Sequence, residues 1–354
     1  MGWYGSNKES KIFQTMPKIE LHRHLEGSLR MDTLLDVARN HGLTIPVEPT
    51  FRKMVQVQSN DPLTFENFLS KFQTLRLFYK SPDVIRKVAR DAIQDAALDH
   101  IQYLELRFTP VALSRVEGFD LRSVMEWVTE SVALASQEFN VKTNLIVSVN
   151  RHEPIELAEQ VLSLALDFRT RGIVGVDLAG NEVQFSALPF WSLFHNVQKE
   201  GLKISIHAGE WSGSENVRQA IEEMDADRIG HGVRVMEDES VVRLAVKRQI
   251  PFEVCVTSNY QSGVVSSLRG HPILRMIDSG LFVTINTDDP SISQITLGDE
   301  FHLLYNEFQQ PLERFYKLSM ASINAAFLNE DEKSNLREHF RLAYQEWNKT
   351  VING

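Results

Sequence analysis

A chain of 354 residues, 43% of them hydrophobic, can bury one large core or two ordinary ones. Its formal net charge of −10 argues against a nucleic-acid partner, because backbone phosphates call for a basic footprint, and no basic amphipathic stretch or spanning apolar run suggests a membrane. The one cysteine, Cys255, rules out an internal disulfide and suits the reducing cytoplasm.

The start, MGWYGSNKES, lacks the apolar core of a secretory leader. Gly2 and Ser6 match the loose N-myristoylation pattern, but with bulky Trp3 and Tyr4 beside Gly2 the match reads as accident. Eight β-branched runs then alternate with helix-patterned stretches. The first, KIELHRH (18–24), contains His22 and His24, which point to the same side because side chains alternate along a strand. Roughly seventy-five residues separate it from the second, QYLELRFT (102–109), far more than one helix needs. That insertion, about 31–100, includes LTFENFLSKFQTL, in which Phe65, Phe68, Leu69 and Phe72 share one helical face. The face either packs on the body of the domain or forms a lid whose aromatic edge covers a site.

From the second run onward the strands recur at roughly thirty-residue spacing, about one βα unit each. They are TNLIVSVN (143–150), IVGVDLAG (173–180), KISIHAGE (203–210), RIGHG (228–232), FEVCVTS (252–258) and FVTINTDD (282–289). Between them, Leu121, Val124, Met125, Val128 and Val132 share one helical face. Ala158, Val161, Leu162 and Ala165 share another, and Val217, Ala220, Ile221 and Met224 a third. Gly201 and Gly280 stand where helix C-caps belong. Alternating β and α with parallel return predicts an α/β fold, either a (β/α)8 TIM barrel or a doubly wound sheet. Eight units and no glycine-rich phosphate loop favour the barrel, as a single domain over 1–354 with a helical insertion after its first strand.

The unusual polar residues gather at the C-terminal ends of these runs, the face on which barrels carry their sites. They are His22 and His24, Gly180, His207 and Glu210, His231, and Asp288 with Asp289. A single histidine is usually a core or surface residue, but histidines of those kinds would scatter along the strands. Three imidazoles and a carboxylate, His22, His24, His207 and Asp288, suit Zn²⁺ with one position left for water. Such an ion brings the pKa of water toward 7, which points to hydrolysis. Glu210, just past the fifth strand, can donate or accept a proton, or can simply face a helix dipole. His231 can be a fifth ligand or can hold the attacking oxygen in line. Asp288 and Asp289 would face opposite ways on a regular strand, and a relaxed strand end is needed to bring both to one cleft. The fourth strand ends GVDLAG with no lysine to bridge a second ion, so one metal is expected. Asp177 can accept a hydrogen bond from a ligand histidine. His41, His100, His152, His195, His302 and His339 fall in helical or loop stretches and read as solvated or structural.

The motifs PKIELHRHLEGSLR, YLELRFTP, DLAGNE, HAGE, DRIGHGVR, CVTSNYQSGVV and TINTDDPSIS together resemble the adenosine deaminase family, from Met16 to about Leu336. The resemblance implies hydrolytic deamination at C6 of a 6-aminopurine, with a small-molecule purine nucleoside as partner. It implies that His22, His24, His207 and Asp288 hold one zinc ion and that Glu210 protonates purine N1. His231 would orient the attacking hydroxide and take its proton. Asp289 would hydrogen-bond N7 and the backbone N–H of Gly180 would meet N3. His24 would touch substrate as well as metal, and Phe65, Phe68, Leu69 and Phe72 would form a helical gate over the ring.

One residue departs from the nucleoside pattern. Many adenosine deaminases place an aspartate for the ribose 5′-hydroxyl where this chain has Glu26. Relatives acting on adenine or on aminodeoxyfutalosine resemble the chain there, and the N6-methyl-AMP branch tends to carry a neutral residue. A carboxylate should repel a 5′-phosphate. SLR in place of TLE, together with ELRFTP and TSNYQSG, favours the nucleoside deaminases, so adenosine and 2′-deoxyadenosine are the expected substrates. Another metal-dependent barrel hydrolase fits less well, because it would not need Glu210 paired with Asp289. A catalytically dead barrel would have lost a ligand, and none is lost.

Overall fold

The structure, a computed structural model, describes residues 8–353. The Gly2/Ser6 pattern lies outside the described residues. Eight parallel strands hydrogen-bond in chain order: β1 (Lys18–His24), β2 (Ile101–Phe108), β3 (Lys142–Asn150), β4 (Ile173–Ala179), β5 (Lys203–Ala208), β6 (Arg228–His231), β7 (Pro251–Val254) and β8 (Phe282–Ile285). The barrel closes through the segment after β8. His24 N–H donates to Asp288 O at 2.8 Å, Asp288 N–H to His22 O at 3.0 Å, and Leu21 N–H to Asn286 Oδ1 at 2.9 Å. The sheet is therefore the (β/α)8 barrel that the alternation predicts. Apolar strand residues such as Leu106, Val147, Val176 and Ile206 are fully buried, and the predicted helix faces over 121–132 and 158–165 pack inward. Among the described residues, no helix is long and apolar enough to cross a membrane.

Two strands stop earlier than their residues suggest. The run 252–258 is rich in β-branched residues, yet β7 ends at Val254 and a helix runs from Val256 to Gln261. The cause comes from another helix. Glu300, fully buried, accepts N–H bonds from Val256 at 3.0 Å and Thr257 at 3.1 Å, capping the new helix in place of a strand ladder. β8 ends at Ile285, and Asp288 turns into the left-handed region with φ +69°.

The insertion supplies four helices, Met31–Asn40, Glu48–Val55, Phe65–Leu75 and Pro82–Leu98. The last buries Val84, Ile85, Val88, Ala92 and Ile93 and packs against β2 and the helix Leu121–Phe139, so it belongs to the ring around the barrel. The helix Phe65–Leu75, capped by the Thr64 side chain, lies across the mouth of the barrel, where it lines the central cavity.

Candidate active site

At the C-terminal mouth of the barrel is a cavity of about 280 Å³. His24, Glu26, Gly180, His207, Glu210, His231, Asp288 and Asp289 line it, and His22, which does not itself line it, packs against the rings of His24 and His207. β1 brings His22 and His24 to the same side, with ring centroids 5.2 Å apart, and β5 sets His207 4.8 Å from His22. One ligand atom from each of the three lies within 4.8 Å of the others. The left-handed turn at Asp288 brings its Oδ1 to 3.3 Å from His22 Nε2 and 3.4 Å from His24 Nε2. The same turn frees Asp289 from strand alternation, so both aspartates reach the cavity.

The ring nitrogens show which atoms face the centre. His22 Nδ1 lies 2.7 Å from Glu253 Oε2, and His207 Nδ1 lies 3.0 Å from Asp177 Oδ1, so each Nδ1–H is spent on a carboxylate and each Nε2 presents a lone pair. His22 Nε2 is buried with no hydrogen-bond partner. An orphaned imidazole lone pair, two more imidazoles and a carboxylate within ion-ligating reach fit a single divalent ion of the zinc type. Asp177 thus takes the role that strand alternation predicts. Glu253 was not legible as its counterpart on the other histidine, although a glutamate inside the buried run FEV is itself a signal. Between the two carboxylates sits Arg107, buried, 2.7 Å from Glu253 and 3.5 Å from Asp177. Arg228 completes the pairing of Glu253 from below. These charges offset one another, as buried charges must. Ser258 donates to Asp288 Oδ2 at 2.7 Å.

Two carboxyls beside this cluster are pushed toward the protonated form. Burial pushes Glu210 well above the ordinary carboxylate range, helped by the charges of Asp288 and Glu182. Asp289 is pushed up too, by burial and then by Asp288, Glu26 and Glu210. Asp288 is held well below that range despite burial, by the adjacent His22 imidazole and then by His231. Gly27 explains part of this packing: a Cβ there would stand 1.8 Å from Asp289 Oδ1, so only glycine leaves room for the aspartate.

Glu182, in DLAGNE, is a residue the motif contains but its spacing does not explain. Its buried carboxylate accepts the backbone N–H groups of Gly209, Glu210, Trp211 and Ser212 at 2.7–3.0 Å, and the Asn216 side chain at 3.0 Å. The loop that carries Glu210 is thereby pinned along its length.

The outer wall comes from the helix Phe65–Leu75. Phe68, Leu69 and Phe72 line the cavity, followed by Gln73 and Arg76. Phe65 does not line it. Placed in the first turn of the helix, it packs instead against Trp211, which does line the cavity, with ring centroids 5.6 Å apart. Glu26 Oε1 accepts the Thr109 N–H, its other oxygen is buried without a partner, and burial raises its pKa to about 7. Arg76 stands close enough for its charge to oppose that rise, and its Nε is buried without a partner.

The profile of the adenosine deaminase family matches residues 17–342. The adenosine deaminase of Salmonella schwarzengrund is 34% identical over 326 residues, 92% of this chain and 97% of that one. Among solved structures, the adenine deaminase of Arthrobacter aurescens superposes with a TM-score of 0.85 at 27% identity, covering 94% of this chain and 99% of its own. The N6-methyl-AMP deaminase of Arabidopsis thaliana superposes with a TM-score of 0.84 at 27% identity, covering 95% and 99%.

Proposed function

The chain belongs to the adenosine deaminase family of hydrolases acting on C–N bonds, and we propose that it converts adenosine and 2′-deoxyadenosine to their inosine products and ammonia, with one zinc ion, in cytoplasmic purine salvage. The observation that carries this reading is the placement of two buried carboxyls, Glu210 and Asp289, both pushed toward the protonated form by burial, in one cavity with the histidine–aspartate cluster. A purine offers ring acceptors on both sides of C6, at N1 and N7. Two neutral carboxyls can donate to both, whereas two carboxylates would repel them.

His22, His24, His207 and Asp288 would hold the ion, which when bound supplies Lewis acidity and makes hydroxide available near neutral pH. Glu210 gives its proton to N1, breaking the ring's aromaticity so that C6 becomes electrophilic. Its loop, tied to Glu182, holds the carboxyl in place as this happens. Asp289 anchors N7 and the Gly180 N–H meets N3, fixing the face of the ring presented for attack. His231 stands beside the attacking oxygen. Phe68, Leu69 and Phe72 cover the base and keep bulk water out, with Phe65 and Trp211 behind them as the outer part of the gate. Glu26 accepts from the ribose 5′-hydroxyl.

The test is the ultraviolet spectrum of adenosine incubated with zinc-loaded enzyme. Conversion to the inosine spectrum, lost on chelation and restored by zinc, is the expected result; an unchanged spectrum at full zinc occupancy removes adenosine as substrate. Glu26→Ala should cut kcat/KM for adenosine by about tenfold or more, the value of a hydrogen bond to a buried charged group, and leave adenine turnover less affected. Equal losses would mean that Glu26 does not read the ribose.

A second reading has one specific observation in its favour. Arg76, which lines the cavity with its Nε buried and without a partner, suits an acceptor-rich 5′ substituent, as in aminodeoxyfutalosine or N6-methyl-AMP. Glu26 beside it opposes a phosphate there. Comparing kcat/KM for adenosine, adenine, AMP and a 5′-carboxylated adenosine ranks these substrates directly.

A further inference from the structure

His231 has a different kind of partner from the histidines of the floor, and its bonding can be traced from a backbone group that can only donate. The Ile273 N–H lies 3.1 Å from His271 Nδ1, so that nitrogen is an acceptor. His271 is 4% exposed, and burial lowers its pKa to about 3, so the ring is neutral and its one proton sits on Nε2. His271 Nε2 lies 3.2 Å from the side-chain oxygen of Asn259, which accepts it. That fixes the amide's orientation, and its NH₂ group, 3.2 Å from His231 Nδ1, must donate there. Asn259 is fully buried, so no water competes for these bonds. A neutral His231 whose Nδ1 accepts carries its proton on Nε2.

Nε2 is the nitrogen that faces the reaction. It lies 3.7 Å from Glu210 Oε2 and 3.9 Å from Asp288 Oδ2, too far to bond either, and so is left to meet an oxygen in the cavity that His231 lines. His22 and His207 have the reverse arrangement, with Nδ1–H on a carboxylate and a lone pair at Nε2.

We propose that Asn259 and His271 are positioning residues that fix His231 as the Nε2–H tautomer, so that His231 donates a hydrogen bond to the attacking oxygen and is neither a metal ligand nor the acceptor of that oxygen's proton, which passes instead to the Glu210 carboxylate left by protonation of N1 and from there to the departing amine. This rests on the reading of His231 as the neighbour of that oxygen. It replaces the proton-accepting role that the family resemblance implies for His231, because an Nε2 that already holds a hydrogen has no lone pair to offer. It also gives Asn259 and His271 a function: a carboxylate behind a histidine makes a metal ligand here, and an amide N–H behind one makes a donor.

The test is ¹⁵N–¹H NMR of the zinc-loaded protein labelled at histidine nitrogen, followed by kinetics of three variants. The expected spectrum has His231 and His271 protonated at Nε2, and His22 and His207 protonated at Nδ1. A His231 resonance protonated at Nδ1, or shifted by metal at Nε2, overturns the proposal whatever the substrate proves to be. Asn259→Asp keeps the shape but turns the donor into an acceptor. We expect His231 to switch to Nδ1–H and kcat to fall at least 100-fold per bound zinc, with KM changed less than threefold. His271→Leu should lose at least tenfold in kcat, and His271→Gln, whose amide can donate in the ring's place, should recover most of it. Retention of kcat within threefold in zinc-replete Asn259→Asp overturns the role in catalysis. If that variant does not fold, the wild-type spectrum and the His271 pair decide. A wild-type enzyme inactive on adenosine counts against the proposed substrate and leaves the tautomer measurement intact.

Discussion

The floor of the cavity and its outer wall are built by different physics. On the floor, His22 and His207 each have a carboxylate behind them, those carboxylates share Arg107, and all of these groups are buried. On the wall, Phe72 and Leu69 are half-buried on the helix Phe65–Leu75 and meet the cavity through apolar contact, and Arg76 has a nitrogen with no partner. The floor is over-determined by short, directional bonds between strands of the barrel. The wall meets the cavity only through side chains of one helix, which is tied to the rest of the insertion by the buried Lys71, a donor to Lys53 O and Asp61. The floor therefore sets the reaction, and the wall sets which substituents reach it.

The largest effect should come from the group that gives a proton to the substrate held between the two. Glu210→Gln should keep its zinc yet lose about 10²–10⁴-fold in kcat, and near-normal turnover would remove Glu210 as proton donor. Because burial raises the Glu210 pKa and the reaction uses its protonated form, activity should be lost as pH rises through that raised value. Next, Glu253→Gln weakens the hold on His22. We expect zinc affinity to fall about 10–100-fold, read by chelator competition, and an unchanged affinity would mean that the floor does not depend on this charge. On the wall, Phe72→Ala should raise KM about threefold to tenfold with kcat nearly kept, because apolar cover is lost from ground and transition states alike. A fall in kcat as deep as that of Glu210→Gln would erase the distinction between floor and wall.

The smallest effect concerns Glu300, which caps the helix that delivers Ser258 and Asn259 to the floor. Burial raises its pKa from 4.5 to about 8. The folded state thus prefers the protonated group: the contribution is fully present below pH 4.5 and is lost as pH rises toward 8. Glu300→Gln should flatten this part of the Tm–pH curve, by on the order of 2 °C between pH 5 and pH 8. A curve of unchanged slope would show that Glu300 is ionised throughout.

The sequence by itself determined the eight-fold alternation, the side to which His22 and His24 point, and the gathering of His207, Glu210, His231, Asp288 and Asp289 at one end of the strands. These follow from local periodicity, with a repeat of two along a strand and about thirty along a βα unit, and periodicity is written in neighbouring letters. Even Asp177 could be placed behind a ligand by alternation alone. Only the tertiary structure decided which residues stand behind the others. Glu253 meets His22 across 231 residues of sequence. Glu300 ends β7 from 44 residues away, against the β-branched character of VCVT. His271 reaches His231 through Asn259, although no strand pattern singles it out. Phe65, on the predicted face, packs against Trp211 and does not line the cavity. Alternation tells which side a residue faces. It does not tell how far away a partner lies or which way a hydrogen bond runs, and in a buried site those two quantities decide whether a histidine offers a lone pair or a proton.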